Sequence, residues 1–284
     1  MPTFEDYKGQ VPAWCPGCGD FNILATIKHA LVELNIEPWE VLVVSGIGQS
    51  GKLPHYIKCH TFNGLHGRTL PVATAIKLAN DSLHVIAVAG DGDCYAEGGN
   101  HFLHAIRRNP DISLFVHNNQ IYGLTKGQAS PTTAEGTHTK IQPFGILAEQ
   151  MNPVALAIIM NCSFVARGFA GDEDYLKELM KAAITHKGFA LLDILQPCVT
   201  WNKINTFKWG HDRIYKLEEG YDPTDKMKAI ERSLEWGDRI PNGILYKKER
   251  RTFEEGMPAI KEKPLIQQKF TIDDVKQEIE KYYY

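Results

Sequence analysis

No apolar run in this 284-residue chain approaches the ~20 residues needed to cross a bilayer, so no membrane-spanning helix is expected. Charge of one sign is also missing. The net charge of −3 gives no strong pull toward nucleic acid or an anionic membrane. The opening MPTFEDYKGQ lacks the basic head and apolar core of a signal peptide, so a cytoplasmic protein is expected. There is no internal repeat and no low-complexity run. Cysteine is scarce: six stand at positions 15, 18, 59, 94, 162 and 198. In such a chain they argue for metal or redox use more than for disulfides.

What is present has the make-up of an ordinary soluble globular protein, with 43% hydrophobic and 23% charged residues. The length suits one large or two modest domains. The most informative stretch runs from Val88 to Gln128. Leu83–Gly90 is an apolar run cut off by Gly90-Asp91-Gly92, as suits a strand buried on both faces of a parallel sheet. His101–Arg108 has apolar residues at helical spacing and is stopped by Asn109-Pro110. Ile112–His117 is a second apolar strand, ending in Asn118-Asn119. Both turns then lie at the carboxyl ends of neighbouring strands, where open α/β sheets bind ligands.

A carboxylate and an amide oxygen set by two such turns can hold a hard divalent cation. Mg²⁺ takes few protein ligands and completes its octahedron with water and phosphate, while glycines let the backbone approach a diphosphate. An isolated GDG is more often a plain strand-ending turn. GDG followed after 25 residues by NN, with βαβ patterning between, reverses those odds. This spacing resembles the thiamine-diphosphate motif. The resemblance implies Mg²⁺ ligation by Asp91, Asn119 and the Ile121 carbonyl.

Elsewhere the chain alternates helices and strands. Trp14-Cys15-Pro16-Gly17-Cys18-Gly19-Asp20 places two thiols on one tight turn. They suit an iron–sulfur cluster or a zinc ion, and a pair of buried thiols is the bland alternative. Asn22–Leu34 follows as a helix with Asp20 as its N-cap. Glu40–Ser45 reads as a buried strand ending in the glycine-rich turn Gly46–Lys52. Gly46, Gly48 and Gly51 match a dinucleotide fingerprint literally, but no acidic residue follows at the required distance. Leu53 stands where a Walker phosphate loop needs Ser or Thr. Cys59–Arg68 reads as a loop whose His66 and Arg68 suit an anion or cofactor ring, and Leu70–Leu78 as a small-residue helix. Lys126 lies in a polar loop at the ligand edge, where a cation can pair with a substrate carboxylate. Ser130–Thr139 reads as a mobile loop. Asn152–Met160, with Pro153 in its first turn, and Asp172–His186 read as helices. Cys162–Gly168 and Phe189–Leu195 read as strands, the latter putting Cys198 on the ligand edge. Beyond Val199 this rhythm fades, so residues 1–199 are expected to form the cofactor-binding α/β domain. Residues 200–284 are expected to be an irregular extension with short helices, packed on the core or on a partner subunit.

CPGCGD, SGIGQSGKLP, GLHGR, GDGD and NNQIYGLTKGQ, in that order, make the chain resemble the β subunit of the 2-oxoacid:ferredoxin oxidoreductases across roughly residues 10–200. The resemblance implies a mostly parallel sheet with helices on both faces, the thiamine-diphosphate-binding fold. It implies thiamine diphosphate, Mg²⁺ and one 4Fe-4S cluster as cofactors. It implies a separate α subunit, in an αβ or (αβ)₂ assembly, that supplies the glutamate activating the aminopyrimidine; no counterpart of that glutamate stands out here. The implied reaction converts a 2-oxoacid and coenzyme A to acyl-CoA and CO₂, with electrons passing singly through the cluster to ferredoxin, reversibly. 2-Oxoglutarate or a broad 2-oxoacid range is the favoured substrate class, with pyruvate also handled by such chains. Gly48, His66, Gly90, Gly92, Asp93 and Gly123 fall on cofactor-contacting positions. Leu124 falls near the thiamine and Lys126 on the position contacting the substrate carboxylate. One departure stands out: many relatives read SGIGCS, with that cysteine a cluster ligand, and here the position is Gln49. Cys15, Cys18 and Cys198 match the other ligands, and Cys59 is the expected replacement, with Cys94 as runner-up. The alternatives are a non-oxidative thiamine-diphosphate decarboxylase or synthase subunit and a zinc-stabilised, non-catalytic α/β subunit.

Overall fold

The protein is described by a computed structural model covering residues 1–261 and 263–282. Its frame is an eight-stranded sheet of β1 (Val41–Ser45), β2 (His60–Asn63), β3 (His84–Gly90), β4 (Ser113–Asn118), β5 (Phe164–Phe169), β6 (Ala190–Leu195), β7 (Ile214–Lys216) and β8 (Ile240–Lys247). The strand order is β2-β1-β3-β4-β6-β5-β8-β7. All neighbours run parallel except β5 and β8, which pair antiparallel through a bulge at Val165/Ala166.

The helices are α1 (Gly19–Glu33), α2 (Thr69–Ala79), α3 (Gly99–Arg108), α4 (Pro153–Ile159), α5 (Glu173–Thr185), α6 (Phe207–Arg213), α7 (Lys226–Leu234) and α8 (Ile272–Glu280). They cover both faces of the sheet because the central strands are apolar on both. Along β3, Ile86 and Val88 face a core shared with Ile23 and Ile27 of α1 and Leu179 and Met180 of α5. Val85, Ala87 and Ala89 face the opposite core with Ala73 of α2, Phe102 and Ile106 of α3 and Ala157 of α4. This is the physical content of an apolar run without alternation: a parallel strand buried from above and below. Among the described residues no helix is long and apolar enough to cross a membrane.

The structure corrects several expectations. The Cys59–Arg68 stretch is not all loop, since His60–Asn63 forms edge strand β2. Its four residues are exposed, so no burial pattern marks it. Residues 200–284 are less irregular than expected. They add β7 and β8 to the sheet, and Leu245 and Tyr246 of β8 enter the core. α1 is capped by Cys18 and not by Asp20; the Asp20 carboxylate instead lies 2.6 Å from His117 Nδ1, with both residues buried. The start of the Ser130–Thr139 segment is anchored: Ser130, Thr132 and Thr133 are all buried.

Candidate active site

The parallel register gathers the carboxyl ends of β1, β3, β4 and β6 along one edge. Ser45 pairs with Val88, Gly90 with His117, and Asn118 with Leu195. The turns after these strands carry the motifs, so GIGQS, GDGD, NNQIYG and QPC meet at one place although they span 150 residues of sequence.

Asp91 stands at the end of β3 and is almost fully buried. One carboxylate oxygen, Oδ2, accepts hydrogen bonds from Ser130 Oγ (2.5 Å) and Thr132 Oγ1 (2.6 Å). Burial pushes the acid up to about 6 in spite of these donors. A carboxylate held this way is oriented and under-compensated, and a bound cation relieves that condition. The Thr132 hydroxyl also lies 3.0 Å from Asn118 Oδ1. Asn118 Nδ2 in turn donates to Asp193, which accepts from Tyr95 OH at 2.6 Å as well. This buried polar chain fixes the ends of β3, β4 and β6 relative to one another.

The chain after β4 is turned by Gln120, a non-glycine residue at φ 57° whose carbonyl accepts from Thr133 Oγ1, next to the Thr132 that holds Asp91. The turn lets the Ile121 amide donate to Asn119 Oδ1 (3.1 Å) and leaves the Asn119 oxygen and the Ile121 carbonyl free to accept further partners. Lys126, at φ 73°, is the second left-handed non-glycine residue in this loop. Two such residues in ten mark a segment whose shape is held against local preference.

The glycines divide into two kinds. A Cβ on Gly46 would lie 2.0 Å from Asp93 Oδ2, and one on Gly92 would lie 2.3 Å from the Tyr122 ring. Both are demanded by protein packing. Gly48 and Gly90 instead face Ser50 Oγ at 3.9 and 3.3 Å from their would-be Cβ positions, and that hydroxyl is buried without a partner among the described residues. An orphaned donor between two glycine turns is a cradle for a ligand oxygen.

Asp93 acts as a clamp. It accepts from the Gly67 amide (2.7 Å) and the Ile47 amide (3.3 Å) and lies 2.7 Å from His66 Nδ1. It therefore ties the turns after β1 and β2 to the end of β3, and burial pushes its pKa up. His66 sits between Asp93 and Glu97, with its ring centroid 6.2 Å from that of Tyr122. Leu124 and Lys126 are exposed, and Lys126 forms no ion pair among the described residues.

The cysteines separate. Gly19 N donates to Pro197 O, and Gln196 Nε2 donates to Cys18 Sγ at 3.4 Å, which joins the CxxC turn to the end of β6. Trp14 Nε1 donates to the Gln49 carbonyl at 2.9 Å. A Cβ on Gly123 would lie 3.8 Å from both Cys198 Sγ and Gln49 Cγ. Cys15, Cys18, Cys198 and Gln49 thus share the carboxyl edge. Cys59 does not join them. The Leu42–His60 pairing puts it beside the amino end of β1, four strand steps or about 13 Å from Ser45. It packs there against the α1-side core, and burial pushes its thiol up to about 12. Cys94 and Cys162 lie in the core on the opposite face. Among the described residues no three acidic, histidine or cysteine side chains are already gathered as a metal site.

Sequence reasoning missed Ser130, Thr132 and Asp193. Their role rests on contacts with Asp91 and Asn118 across the fold; the local signal for Ser130 and Thr132 was a Ser/Thr-rich turn, and for Asp193 a lone carboxylate inside an apolar strand.

Residues 46–194 match the family described as thiamine pyrophosphate enzyme, C-terminal TPP binding domain. Residues 198–262 match the C-terminal family of the pyruvate ferredoxin oxidoreductase beta chain. The 2-oxoacid:ferredoxin oxidoreductase subunit beta of Saccharolobus solfataricus is 51% identical over 252 residues, covering 83% of this chain and 82% of the relative. The 2-oxoglutarate synthase subunit KorB of Methanocaldococcus jannaschii is 36% identical over 251 residues, covering 88% and 93%. A solved 2-oxoglutarate:ferredoxin oxidoreductase from Magnetococcus marinus superposes with a TM-score of 0.91 at 34% identity, covering 98% of this chain and 96% of that one. Fold, motif order and sequence therefore agree, and the chain belongs to the β subunits of the 2-oxoacid:ferredoxin oxidoreductases.

Proposed function

We propose that this protein binds thiamine diphosphate and Mg²⁺ at the carboxyl edge of β1, β3 and β4 and, completed by an α subunit, oxidises 2-oxoacids. The overall change is 2-oxoacid plus coenzyme A to acyl-CoA, CO₂, one proton and two electrons, the electrons leaving for ferredoxin. The supporting observation is Asp91: buried, held on one oxygen by Ser130 and Thr132, and tied through Thr132 to Asn118, from which the Asn119–Ile121 turn starts. Asp91 and Asn119 Oδ1, with the Ile121 carbonyl, are the oxygen donors suited to Mg²⁺. Gly48, Gly90 and Gly123, with the unpartnered Ser50 hydroxyl, would hold the diphosphate, and Gly92 keeps room for the Tyr122 ring beside it. Thiamine diphosphate, when bound, supplies the nucleophile and electron sink for decarboxylation.

The chain's own residues do the remaining work. Asp93 holds three turns in place through Ile47, Gly67 and His66. His66 borders the ring side of the site. Leu124 offers an apolar wall, and Lys126, exposed at the rim, attracts the substrate carboxylate. A preference for 2-oxoglutarate or a broad 2-oxoacid range fits the relatives' names.

The rim also argues for a partner. Ile47, Phe62, Leu65 and Leu124 are exposed around the site, and β2 is an exposed edge. Ile272, Val275 and Ile279 of α8 are exposed as well. An α subunit seated on these surfaces, in an αβ or (αβ)₂ assembly, would cover the exposed apolar rim. A cytoplasmic enzyme is consistent with a ferredoxin partner.

Cys15, Cys18 and Cys198, which share the carboxyl edge, would hold a 4Fe-4S cluster at three corners, and among the described residues no fourth thiol stands on that edge. Metal and cofactor analysis of the anaerobically purified αβ enzyme tests the reading. Iron, acid-labile sulfide and acid-released thiamine diphosphate are expected. Zinc alone, without thiamine diphosphate, would mark a non-catalytic subunit and overturn it; thiamine diphosphate without iron or sulfide would mark a non-oxidative enzyme.

A further inference from the structure

The fold divides the six thiols into two sets of three. Cys94 and Cys162 are buried on the face away from the CxxC turn, and Cys59 lies at the amino end of the sheet. Cys15, Cys18 and Cys198 stand on the carboxyl edge. Two amide side chains stand there: Gln196, whose Nε2 is engaged with Cys18 Sγ, and Gln49, whose Cγ and the Cys198 sulfur both lie 3.8 Å from one point above Gly123. Oε1 of each is buried without a hydrogen-bond partner among the described residues, and Gln49 is the one not already bonded to a cluster thiol. Its backbone carbonyl is pinned by Trp14 Nε1, from the residue next to Cys15. An orphaned amide oxygen at this corner is an acceptor whose partner the described residues do not supply.

We propose that this subunit holds its cluster by three thiolates, from Cys15, Cys18 and Cys198, and that Gln49 faces the fourth iron, which is therefore labile and open to water or hydroxide. The inference rests on the proposed iron–sulfur reading. A thiolate is a soft anion well matched to iron in a sulfide cluster, whereas a carboxamide oxygen is a neutral, hard and weaker donor. Replacing one thiolate by a neutral donor removes one negative charge from the cluster, which favours its reduced form and raises its potential relative to a four-thiolate cluster. The N–H···S hydrogen bond from Gln196 to Cys18 acts in the same direction. Loss of the fourth iron is a balanced step. The 4Fe-4S cluster at charge 2+ gives a 3Fe-4S cluster at charge 1+, one Fe²⁺ ion and one electron, which reduces ferricyanide to ferrocyanide.

The test compares wild type, Gln49→Cys and Cys59→Ser as assembled αβ enzyme, purified without oxygen. Iron and sulfide are counted before and after mild ferricyanide treatment, and low-temperature EPR spectra are recorded. Wild type is expected to lose one iron per cluster and to show the signal of an oxidised three-iron cluster. Gln49→Cys should keep all four irons and show no such signal, and its midpoint potential should be lower. Cys59→Ser should behave as wild type. Wild type that keeps all four irons, or a Cys59→Ser protein that alone changes its iron count, overturns the inference and leaves the cluster reading standing. Enzyme with neither iron nor sulfide overturns both.

Discussion

Asp91→Asn is expected to stabilise the cofactor-free subunit at neutral pH while abolishing the proposed Mg²⁺ site. The Asp91 acid is raised from 3.8 to about 6 by burial. A carboxyl whose folded pKa exceeds its unfolded one binds more protons in the native state. Stability is then present in full below the unfolded value and is lost as pH rises through the window from 3.8 to about 6. At about 1.4 kcal/mol per tenfold in the proton equilibrium, that gap corresponds to about 3 kcal/mol of destabilisation at pH 7. An asparagine in its place would keep the acceptor that Ser130 and Thr132 use and shed the buried charge. The assay is thermal unfolding of wild type and Asp91→Asn, stripped of cofactor, at pH 5 and pH 7.5, each with and without Mg²⁺–thiamine diphosphate. The variant should melt several degrees above wild type at pH 7.5 and by roughly half that margin at pH 5. Cofactor should raise the melting point of wild type only. A variant that melts lower than wild type at pH 7.5 would refute the claim that burial of this charge, left uncompensated, is what the cation relieves.

Other substitutions probe the rest of the site. Thr132→Val removes one of the two donors to Asp91, and Mg²⁺ affinity read by titration of cofactor-dependent activity should fall ~10–100-fold. Gly92→Ala drives a methyl into the Tyr122 ring and should cost about 1–3 kcal/mol in urea unfolding. Lys126→Ala, at the exposed rim, should raise KM for the 2-oxoacid by roughly tenfold or more, as expected for loss of a charge-assisted contact, while thiamine diphosphate binding is unchanged. His117→Ala leaves the buried Asp20 carboxylate without its partner at 2.6 Å and should lower stability by about 1–3 kcal/mol in denaturant titration.

The β3–turn–α3–β4 unit was legible because each boundary has a local cause. Glycines end β3, Asn109 in a left-handed turn ends α3, and the strands between are apolar on both faces. The same logic fails where a strand is short, exposed or punctuated. β2 offers four exposed residues. β8 contains Pro241 and Gly243, residues that ordinarily argue against a strand, and its place in the sheet is set by pairing with β5 some 80 positions away. Cys59 lies away from the place its sequence neighbours suggested, for a related reason. Ten residues of sequence separate it from Gln49, but the segment between them runs back along the sheet and returns as β2, so nearness in sequence became distance in space. Ser130 and Thr132 show the converse: a polar turn that looks free is fastened to a carboxylate 39 residues earlier.

The most direct test of the account is substrate-dependent electron transfer. The αβ enzyme, supplied with Mg²⁺ and thiamine diphosphate, is assayed for ferredoxin or viologen reduction over a panel of 2-oxoacids with and without coenzyme A. Reduction that requires both coenzyme A and a 2-oxoacid, releases CO₂ and disappears in Asp91→Asn is the predicted result. No reduction with any 2-oxoacid, or activity undiminished by Asp91→Asn, would contradict it.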